Sequence, residues 1–581
     1  MFSVVRIAVV ALALLSTPIG GLAQTAPAAG PPLRAETARL LPVLARHAMV
    51  ASQEAHATEI GVEVLKNGGN AVDAAVAVGF ALAVTYPRAG NLGGGGFMII
   101  HLADRHENLA IDYRETAPAA ATPDMFLDGQ GEADPHKSRD SGLGVGVPGT
   151  VAGLALAHAQ YGSGKFTLAE LIAPAIKLAR EGFAVDDDLA DSLPVAVPRL
   201  GRWPDSSKIF LKSDGTALGR GDRLLQSDLA ASLQAIAERG PAGFYDGPLA
   251  EAIAASVRTA GGRMTANDLR NYRALMRTPI RGIYRGYEIV SMPPPSSGGV
   301  HLIEMLNILE RYPLCDLGAE SAATLHVMIE AMKRAYADRA EYLGDPDVVT
   351  IPLKGLISKS YAAGLAATID PLHATPAEQI RAGQPADFEG DNTTHFSVVD
   401  ASGNAVANTY TINLNYGLGL VAEGTGILLN DELDDFAAKP GAANAFGLTG
   451  SAANAPAAGK RPLSSMAPTI VMKDGRPVLV TGSPGGSRII TTVLQVISNV
   501  IDHGQTIAEA VAAPRIHHQW QPDVVVAERG LSRDTIRLLE ERGHKIIAGA
   551  ASGSANSILI TDQGLTGAAD PRTRGALAAG Y

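Results

Sequence analysis

The 581-residue chain is acidic, and its composition narrows the classes of function that fit it. Its 59 Asp and Glu residues exceed its 48 Lys and Arg residues, which gives a formal net charge of −11. Because nucleic-acid phosphates are bound by clustered cations and the sequence has no basic run, this balance argues against broad nucleic-acid binding. The length suffices to bury a large core, and the single cysteine, Cys315, excludes an intrachain disulfide.

The first residues have the pattern of an export signal. Arg6 precedes an apolar stretch over residues 7–15, and Gly21-Leu22-Ala23 offers the small residues that a signal peptidase reads. We therefore predict a signal peptide over residues 1–23 and a periplasmic or secreted protein. The apolar stretch is short for a stable membrane span, and an uncleaved N-terminal anchor is the competing interpretation.

Helical patterns follow a Pro- and Ala-rich linker, and no internal repeat is found. Residues 56–67 are predicted to form a helix, and Asn70 can cap a second, almost wholly apolar helix that runs towards Val84. Further along, Gly364 can end a helix. The residues from there to Asn392 are predicted to form a polar connection that prolines interrupt.

A β-hairpin is predicted next. Residues 396–399 and 405–411 have strand patterns, and residues 400–404 are typical of a turn. If the turn is centred on Ser402, Thr393 and Thr411 face each other and their hydroxyls lie within hydrogen-bonding reach. A slip of one residue in the register would turn Thr411 to the other face of the sheet.

Thr393 is a candidate nucleophile of an unusual kind. A threonine hydroxyl alone is a poor nucleophile at neutral pH. If the bond between Asn392 and Thr393 were cut, the new α-amine of Thr393 would lie beside its own Oγ and could act as the general base. Taken alone, two threonines before an alternating apolar run are more simply the start of a strand.

Gly485 and Gly486 precede an apolar helix that is predicted over residues 489–501. Backbone N–H groups at the start of a helix attract negative charge, and two such groups can stabilise the oxygen of a tetrahedral intermediate. The Gly-Lys-Ser/Thr sequence of a nucleotide-binding loop is absent. Without further evidence, two adjacent glycines are most often an ordinary turn.

The residues that suggest other chemistries are weak candidates. His517 and His518 have no neighbouring ligands at the spacing of a metal site, and we interpret them as structural. Cys315 lacks the local sequence of a catalytic cysteine, and no Gly-x-Ser-x-Gly motif is present. No metal or other cofactor is predicted.

Six sequence blocks, taken in order, closely resemble the γ-glutamyltransferases, which are also called γ-glutamyltranspeptidases or glutathione hydrolases. The blocks are residues 90–97, 112–116, 292–299, 393–400, 461–466 and 481–488. The resemblance covers nearly all of the chain after its first few dozen residues. It implies an α/β fold of layered α+β type, the four-layer αββα sandwich of the N-terminal nucleophile hydrolases. It also implies that one precursor cleaves itself between Asn392 and Thr393 into a large subunit (24–392) and a small subunit (393–581), which form a heterodimer.

The resemblance also implies roles for single residues. Thr393 is the nucleophile, beside which the hairpin pattern above places Thr411, and the amides of Gly485 and Gly486 are the oxyanion donors. In the family, one set of positions holds the α-carboxylate of the glutamyl group, and here these positions are occupied by Arg114, Ser464 and Ser465. The positions around the α-ammonium are occupied by Asn413, Glu432 and Asp435. The planar fork of an arginine suits a carboxylate. Taken alone, however, a single Arg is usually a surface ion pair, and an acidic run such as 431–435 is usually a solvated turn.

Gly93 to Gly96 lie in a matching block but are assigned only close backbone packing.

Two residues depart from the pattern of relatives. Phe446 lies in a loop, residues 439–461, that resembles the lid over the glutamyl site, where several bacterial relatives have Tyr. Glu432 stands where some bacterial members have Gln. Both departures bear on the choice of acceptor rather than on the class of reaction.

The expected function is cleavage of the γ-glutamyl amide of glutathione and related compounds, with water or an amino-acid or peptide amine as acceptor. A related acylase that takes glutaryl-type amides is the nearer alternative, although such substrates lack the ammonium that Glu432 and Asp435 would bind. An unprocessed binding protein on the same scaffold is the alternative from another class.

Overall fold

The computed structural model describes residues 40–384, 394–549 and 553–581. The described strands are β1 (Val43–Ala45), β2 (Met49–Ser52), β3 (Gly95–Leu102), β4 (Glu107–Tyr113), β5 (Phe183–Ala184), β6 (Arg223–Leu224), β7 (Leu275–Arg277), β8 (Ile280–Tyr284), β9 (Tyr287–Ser291), β10 (Thr394–Val399), β11 (Ala405–Thr411), β12 (Thr469–Lys473), β13 (Arg476–Thr481), β14 (Ile516–His517), β15 (Val525–Glu528), β16 (Ile546–Gly549), β17 (Ser557–Thr561), β18 (Gly564–Ala568) and β19 (Leu577–Gly580).

The α-helices in the same ranges are α1 (Ala55–Lys66), α2 (Ala71–Thr85), α3 (Pro135–Arg139), α4 (Thr150–Tyr161), α5 (Leu168–Glu181), α6 (Asp187–Leu200), α7 (Pro204–Phe210), α8 (Ser227–Arg239), α9 (Ala242–Tyr245), α10 (Pro248–Thr259), α11 (Ala266–Asn271), α12 (Gly298–Leu309), α13 (Leu314–Leu317), α14 (Ala322–Tyr342), α15 (Leu353–Leu356), α16 (Lys359–Ala367), α17 (Arg488–Ile501), α18 (Ile507–Ala512) and α19 (Arg533–Glu541). None of these described helices is both long enough and apolar enough to cross a membrane. The predicted signal peptide, Asn392 and Thr393 lie outside the described residues.

Two seven-stranded sheets form the centre of the fold. Their strand orders are β1-β18-β17-β13-β12-β9-β8 and β19-β2-β10-β11-β3-β4-β7. The paired strands within both sheets are antiparallel. The two sheets pack face to face through a buried apolar layer that includes Met49 and Phe97 from one sheet and Val290 and Ile470 from the other.

Helices cover the outer face of each sheet. On the sheet that contains β10 and β11, an apolar core joins α2, α4, α5 and α8 to the strands. On the opposite side, α12, α14 and α17 pack over the sheet that contains β9, β12 and β13. Because each sheet buries one face against the other sheet and one against helices, its strands are apolar on both faces. The resulting four layers confirm the predicted αββα sandwich.

The first two helices begin and end close to the predicted residues. The side chain of Asn70 accepts a hydrogen bond from the amide of Asp73, and the carboxylate of Asp73 accepts one from the amide of Asn70. All fifteen residues of α2 are buried, as its apolar sequence predicts. The prediction that Gly364 ends a helix is wrong, because Gly364 lies inside α16 and the helix continues to Ala367. Nothing lies within 4 Å of a Cβ built on this glycine, so the position is open rather than a cap.

The predicted hairpin is present with its turn at the predicted place. Thr394 pairs with Tyr410 and Val399 with Ala405, so the turn is centred on Ser402. The hairpin lies in the middle of its sheet, between β2 and β3. Thr411 ends the second strand, but the predicted pair of Thr393 with Thr411 stays a prediction because Thr393 is outside the described residues.

Glycines allow β3 and its preceding turn to approach the end of the hairpin closely. A Cβ on Gly94 would lie 1.9 Å from the carbonyl oxygen of Thr411, and one on Gly93 would lie 2.1 Å from that of Leu428. No side chain fits at those distances. The close backbone packing predicted for residues 93 and 94 is therefore confirmed, and it fixes the end of β11 beside the turn.

Candidate active site

A cavity of about 540 Å³ lies where the end of β11 meets the start of α17. Four of the predicted site residues line it, namely Thr411, Asn413, Gly485 and Gly486. Thr411 Oγ1 accepts a hydrogen bond of 2.8 Å from the amide of Asn413, which fixes the turn that follows the strand. The other predicted substrate-binding residues do not line this cavity.

Gly485 and Gly486 form the turn before α17, and their conformation suits an oxyanion site. Their φ angles are +130° and +60°, which side-chain-bearing residues rarely adopt. The carbonyl oxygens of the two glycines accept hydrogen bonds from the amides of Arg488 and Ile489. Within the described chain, neither glycine amide donates a hydrogen bond. Two unused N–H groups at a cavity wall, next to a helix N-terminus, can stabilise an anionic oxygen.

Arg114 is the centre of a buried charged cluster. Its guanidinium donates hydrogen bonds to Glu432 through Nη1 and to Asp435 through Nη2, the latter at 2.7 Å. It also donates to the carbonyl oxygens of Pro462 (3.1 Å) and Leu463 (3.2 Å). The side chains of all three charged residues are fully buried. The structure therefore brings Arg114, predicted to bind the carboxylate, into direct ion pairs with Glu432 and Asp435, both predicted to bind the ammonium.

The cluster holds more carboxylates than cations. Glu115 Oε2 lies 3.8 Å from Arg114 Nη1, so this guanidinium faces three carboxyl groups, and the charge of Arg339 also acts on Asp435. Burial raises the pKa of Glu115 to about 8 and that of Asp435 to about 6, although the charge of Arg114 opposes both shifts. Burial also raises the pKa of Glu432 well above its ordinary value. These shifts mean that the cluster favours the uptake of protons or of another cation.

Several buried polar atoms of the predicted site and of Glu115 have no hydrogen-bond partner among the described residues. Glu432 Oε2 and both carboxyl oxygens of Glu115 belong to the cluster around Arg114, and the others are Asn413 Oδ1 and Ser465 Oγ. Unpaired buried polar atoms are costly, and in native proteins they commonly mark a place where a ligand binds. Ser464, by contrast, accepts a hydrogen bond from the amide of Met466 through its hydroxyl.

Residues 439–461, the loop that the resemblance predicts to be a lid, contact both the charged cluster and the glycine turn. Asn444 Nδ2 donates to Asp435 Oδ1 at 3.0 Å. The ring of Phe446 lies against Gly486, where an added Cβ would be 2.5 Å from a ring carbon. Gln519 Nε2 donates to the carbonyl oxygen of Phe446 at 3.1 Å, and Gln519 Oε1 accepts from the hydroxyl of Ser487 at 2.8 Å. Gln519 thus connects the lid to the start of α17.

His517 and His518 are buried behind this connection. Nδ1 of His517 lies 3.0 Å from Thr491 Oγ1, and its Nε2 lies 3.0 Å from Gln519 Oε1. Burial lowers the pKa of His517 to about 3, so its ring is neutral at physiological pH. Nε2 of His518 lies 3.1 Å from Asp523 Oδ1. His517 therefore holds the side chain of Gln519 in place.

Comparison with known proteins decides the family. The sequence model of the gamma-glutamyltranspeptidase family matches residues 57–580. The chain is 54% identical over 541 residues to the glutathione hydrolase proenzyme of Escherichia coli (strain K12), with 93% of each chain covered. This chain belongs to the γ-glutamyltranspeptidase family. The resemblance found in the six blocks is confirmed.

Solved structures agree with the fold of this family. The chain is similar to a cephalosporin acylase from Bacillus halodurans, with a TM-score of 0.83, 28% identity and 96% and 99% of the two chains covered. It is also similar to the γ-glutamyltranspeptidase of Helicobacter pylori, with a TM-score of 0.55 and 48% identity, covering 56% of this chain and 93% of that one. The layered fold is therefore shared with both γ-glutamyltranspeptidases and acylases.

Three residues of this γ-glutamyltranspeptidase site were not predicted as site residues. Glu115 lies inside a matching block directly after Arg114, so its position in that block was an available signal. Asn444 lies in the predicted lid, but no sequence pattern indicates which of the lid's side chains contacts Asp435. Gln519 follows the two histidines and carries no motif. Its contacts with the lid and with α17 arise only from the fold.

Proposed function

We propose that the protein is a self-processing enzyme that hydrolyses or transfers the γ-glutamyl group of glutathione and related γ-glutamyl amides. In this reaction Thr393 Oγ attacks the γ-carbonyl carbon while the α-amine of Thr393 takes the hydroxyl proton. The amides of Gly485 and Gly486 stabilise the oxyanion. The α-amine then gives the proton to the leaving amine, and a γ-glutamyl ester of Thr393 remains. Water or an acceptor amine attacks that ester and regenerates the hydroxyl.

The charge of the buried cluster is the observation that carries this proposal. Three carboxyl groups surround Arg114, and Glu432 Oε2 and Asn413 Oδ1 are acceptors without described partners. A glutamyl α-ammonium supplies a further positive charge. Its α-carboxylate can accept from the hydroxyl of Ser465 and from the one N–H of Arg114 that the described acceptors do not occupy. A glutaryl group has no ammonium, so the cluster would have to hold protons in its place and the group would gain no ion pair from it.

The maturation of the chain is part of the same proposal. Cleavage between Asn392 and Thr393 would give a large subunit over residues 24–392 and a small subunit over residues 393–581. The E. coli relative is named a proenzyme, which supports processing. Removal of residues 1–23 during export would place the mature heterodimer in the periplasm or outside the cell. N-terminal sequencing of both mature subunits tests these boundaries, and a subunit starting elsewhere would contradict them.

A paired rate measurement tests the choice between γ-glutamyl and glutaryl substrates. We expect the kcat/KM of the mature enzyme for γ-glutamyl nitroanilide to exceed that for glutaryl nitroanilide by roughly 100-fold. Two or more charge-assisted hydrogen bonds to the ammonium are lost with the glutaryl group, and each is worth roughly 1.5–3 kcal/mol. Equal rates, or faster cleavage of the glutaryl amide, would favour the acylase alternative.

The raised pKa values of Glu115 and Asp435 predict a pH dependence of ligand binding. Below these pKa values the carboxyl groups are protonated and neutral, so an ammonium is held less well. The competitive inhibition constant of L-glutamate should therefore fall as the pH rises from 5 to about 8. Glutarate, which has no ammonium, serves as the control and should not bind more tightly over this range. An inhibition constant for L-glutamate that rises with pH would contradict this role of the cluster.

A further inference from the structure

Asp112 is a buried carboxylate that the reaction above does not use. It lies on β4, two residues before Arg114, and its side chain is fully buried. Its Oδ1 accepts a hydrogen bond of 3.0 Å from the amide of Arg114. Its Oδ2 accepts one of 2.8 Å from Nε of Arg277, which lies on β7, the strand that pairs with β4. Asp112 therefore fixes the main chain from which the side chain of Arg114 extends.

The same carboxylate also reaches the segment that contacts the guanidinium of Arg114. Nε of Arg461 lies 3.4 Å from Asp112 Oδ1, in an ion pair. The two residues that follow Arg461 present the carbonyl oxygens that accept hydrogen bonds from Arg114. Asp112 and Arg114 thus hold residues 461–463 together, the first through the charge of Arg461 and the second through the two carbonyl oxygens.

A buried aspartate between arginines could serve only to balance their charge, but Arg277 has a second acidic partner. Its Nη1 and Nη2 donate to the two oxygens of Asp347 at 2.9 and 2.7 Å. The side chain of Asp347 is half exposed, so this second pair lies at the outer end of the network. The contacts that only Asp112 makes are those with the amide of Arg114 and with Arg461.

We infer that Asp112 is a positioning residue for the α-carboxylate of the glutamyl group. Because one oxygen of Asp112 meets both the amide of Arg114 and the guanidinium of Arg461, it sets Arg114 against the chain that leads into Ser464 and Ser465. The hydroxyl of Ser465 is buried and has no hydrogen-bond partner among the described residues, so the course of that chain decides where the hydroxyl points. This inference rests on the proposed function, and it separates recognition of the α-carboxylate from attack at the γ-carbonyl.

One matched pair of donors measures recognition of the α-carboxylate. The pair is γ-glutamyl nitroanilide and the same compound with its α-carboxylate converted to a carboxamide. The quantity determined is the ratio of kcat/KM for the acid to kcat/KM for the amide. In Asp112→Asn a single oxygen must replace two, and the new amide group would oppose a donor on one side. The ratio should therefore fall about tenfold, the size of one charge-assisted hydrogen bond.

The kinetic step that changes distinguishes positioning from a general loss of structure. The loss in Asp112→Asn should appear as a higher KM for the acid donor. The burst rate of nitroaniline release at saturating donor should stay within about threefold of the wild-type rate, since an interaction equal in the ground state and the transition state affects KM alone. Asp112 does not line the cavity that contains Gly485 and Gly486. Equal losses for the acid and the amide donors would overturn the inference.

Two further variants complete the test. Asp347→Asn removes the other acidic partner of Arg277 without touching Arg114 or Arg461, and it should leave the ratio at the wild-type value. Arg461→Gln should lower the ratio as Asp112→Asn does, and it decides the matter if Asp112→Asn does not mature. An unchanged ratio in these two variants, or an equal fall in Asp347→Asn, would overturn the inference. A wild-type enzyme that cleaves neither donor, or both equally well, would instead contradict the proposed function itself.

Discussion

Replacing Thr393 with Ala should leave the purified chain uncut and lower turnover of γ-glutamyl nitroanilide by at least about 10⁴-fold. Both effects have one cause, because the variant lacks the oxygen that we propose attacks the Asn392 carbonyl during maturation and the γ-carbonyl during catalysis. Intact-mass analysis measures the first effect. Release of nitroaniline measures the second. Wild-type protein should show a fragment that begins at Thr393.

Thr393→Ser is the matched control for this experiment. It keeps the attacking oxygen and the future α-amine, so it should still be processed and should retain measurable turnover. Two results would contradict the mechanism. One is a Thr393→Ala protein that is cut at the same bond and remains active, and the other is a fully active wild-type enzyme that stays one chain.

Replacing Arg114 with Lys should produce the second large effect, a fall in kcat/KM for γ-glutamyl nitroanilide of roughly 100-fold or more. A lysine cannot donate at once to Glu432, Asp435 and the carbonyl oxygens of Pro462 and Leu463, as the guanidinium does. Carboxylates that lose a buried partner cost roughly 2–5 kcal/mol, which is sufficient for this loss. Steady-state kinetics measures the change.

Asp435→Asn tests the same cluster with almost no change of volume. It removes one negative charge and keeps one acceptor oxygen, which can serve Arg114 while the contact from Asn444 is lost. It should therefore weaken binding of L-glutamate more than binding of glutarate. Maturation into two subunits should survive it, since Asp435 is not proposed to act on the scissile bond. Equal weakening of both ligands would mean that Asp435 supports the shape of the site rather than the ammonium.

Short sequence patterns correctly predicted the helices and turns that are determined by residues close together in the sequence. The capping box of Asn70 and Asp73 and the hairpin turn centred on Ser402 depend on residues a few positions apart, and both are found as expected. Gly364 shows the limit of such rules. A glycine can end a helix, but it can also lie on an open helix face, where only the packing of neighbouring elements decides between the two.

The buried cluster could not be predicted from local patterns. Arg114 and Glu432 are 318 residues apart, and only the sandwich fold places them in contact. The same acidic run that reads as a solvated turn lies in a short 3₁₀ helix, Glu432–Asp435, with every residue buried. The resemblance to a family named these residues, but it did not indicate that they pair with one another.

The interleaving of strands has a consequence for the life of the protein after maturation. In both sheets, strands that precede residue 393 pair with strands that follow it, as β2 pairs with β10 in one sheet and β9 with β12 in the other. An uncut chain folds by a first-order process, whereas two separated pieces must first collide. Cleavage after folding would therefore leave the two pieces locked together while the native state lasts. Once the native state is lost, refolding requires the two separate chains to meet, so its rate depends on their concentration. In dilute solution an unfolded mature molecule would not refold and could be replaced only by newly synthesised precursor.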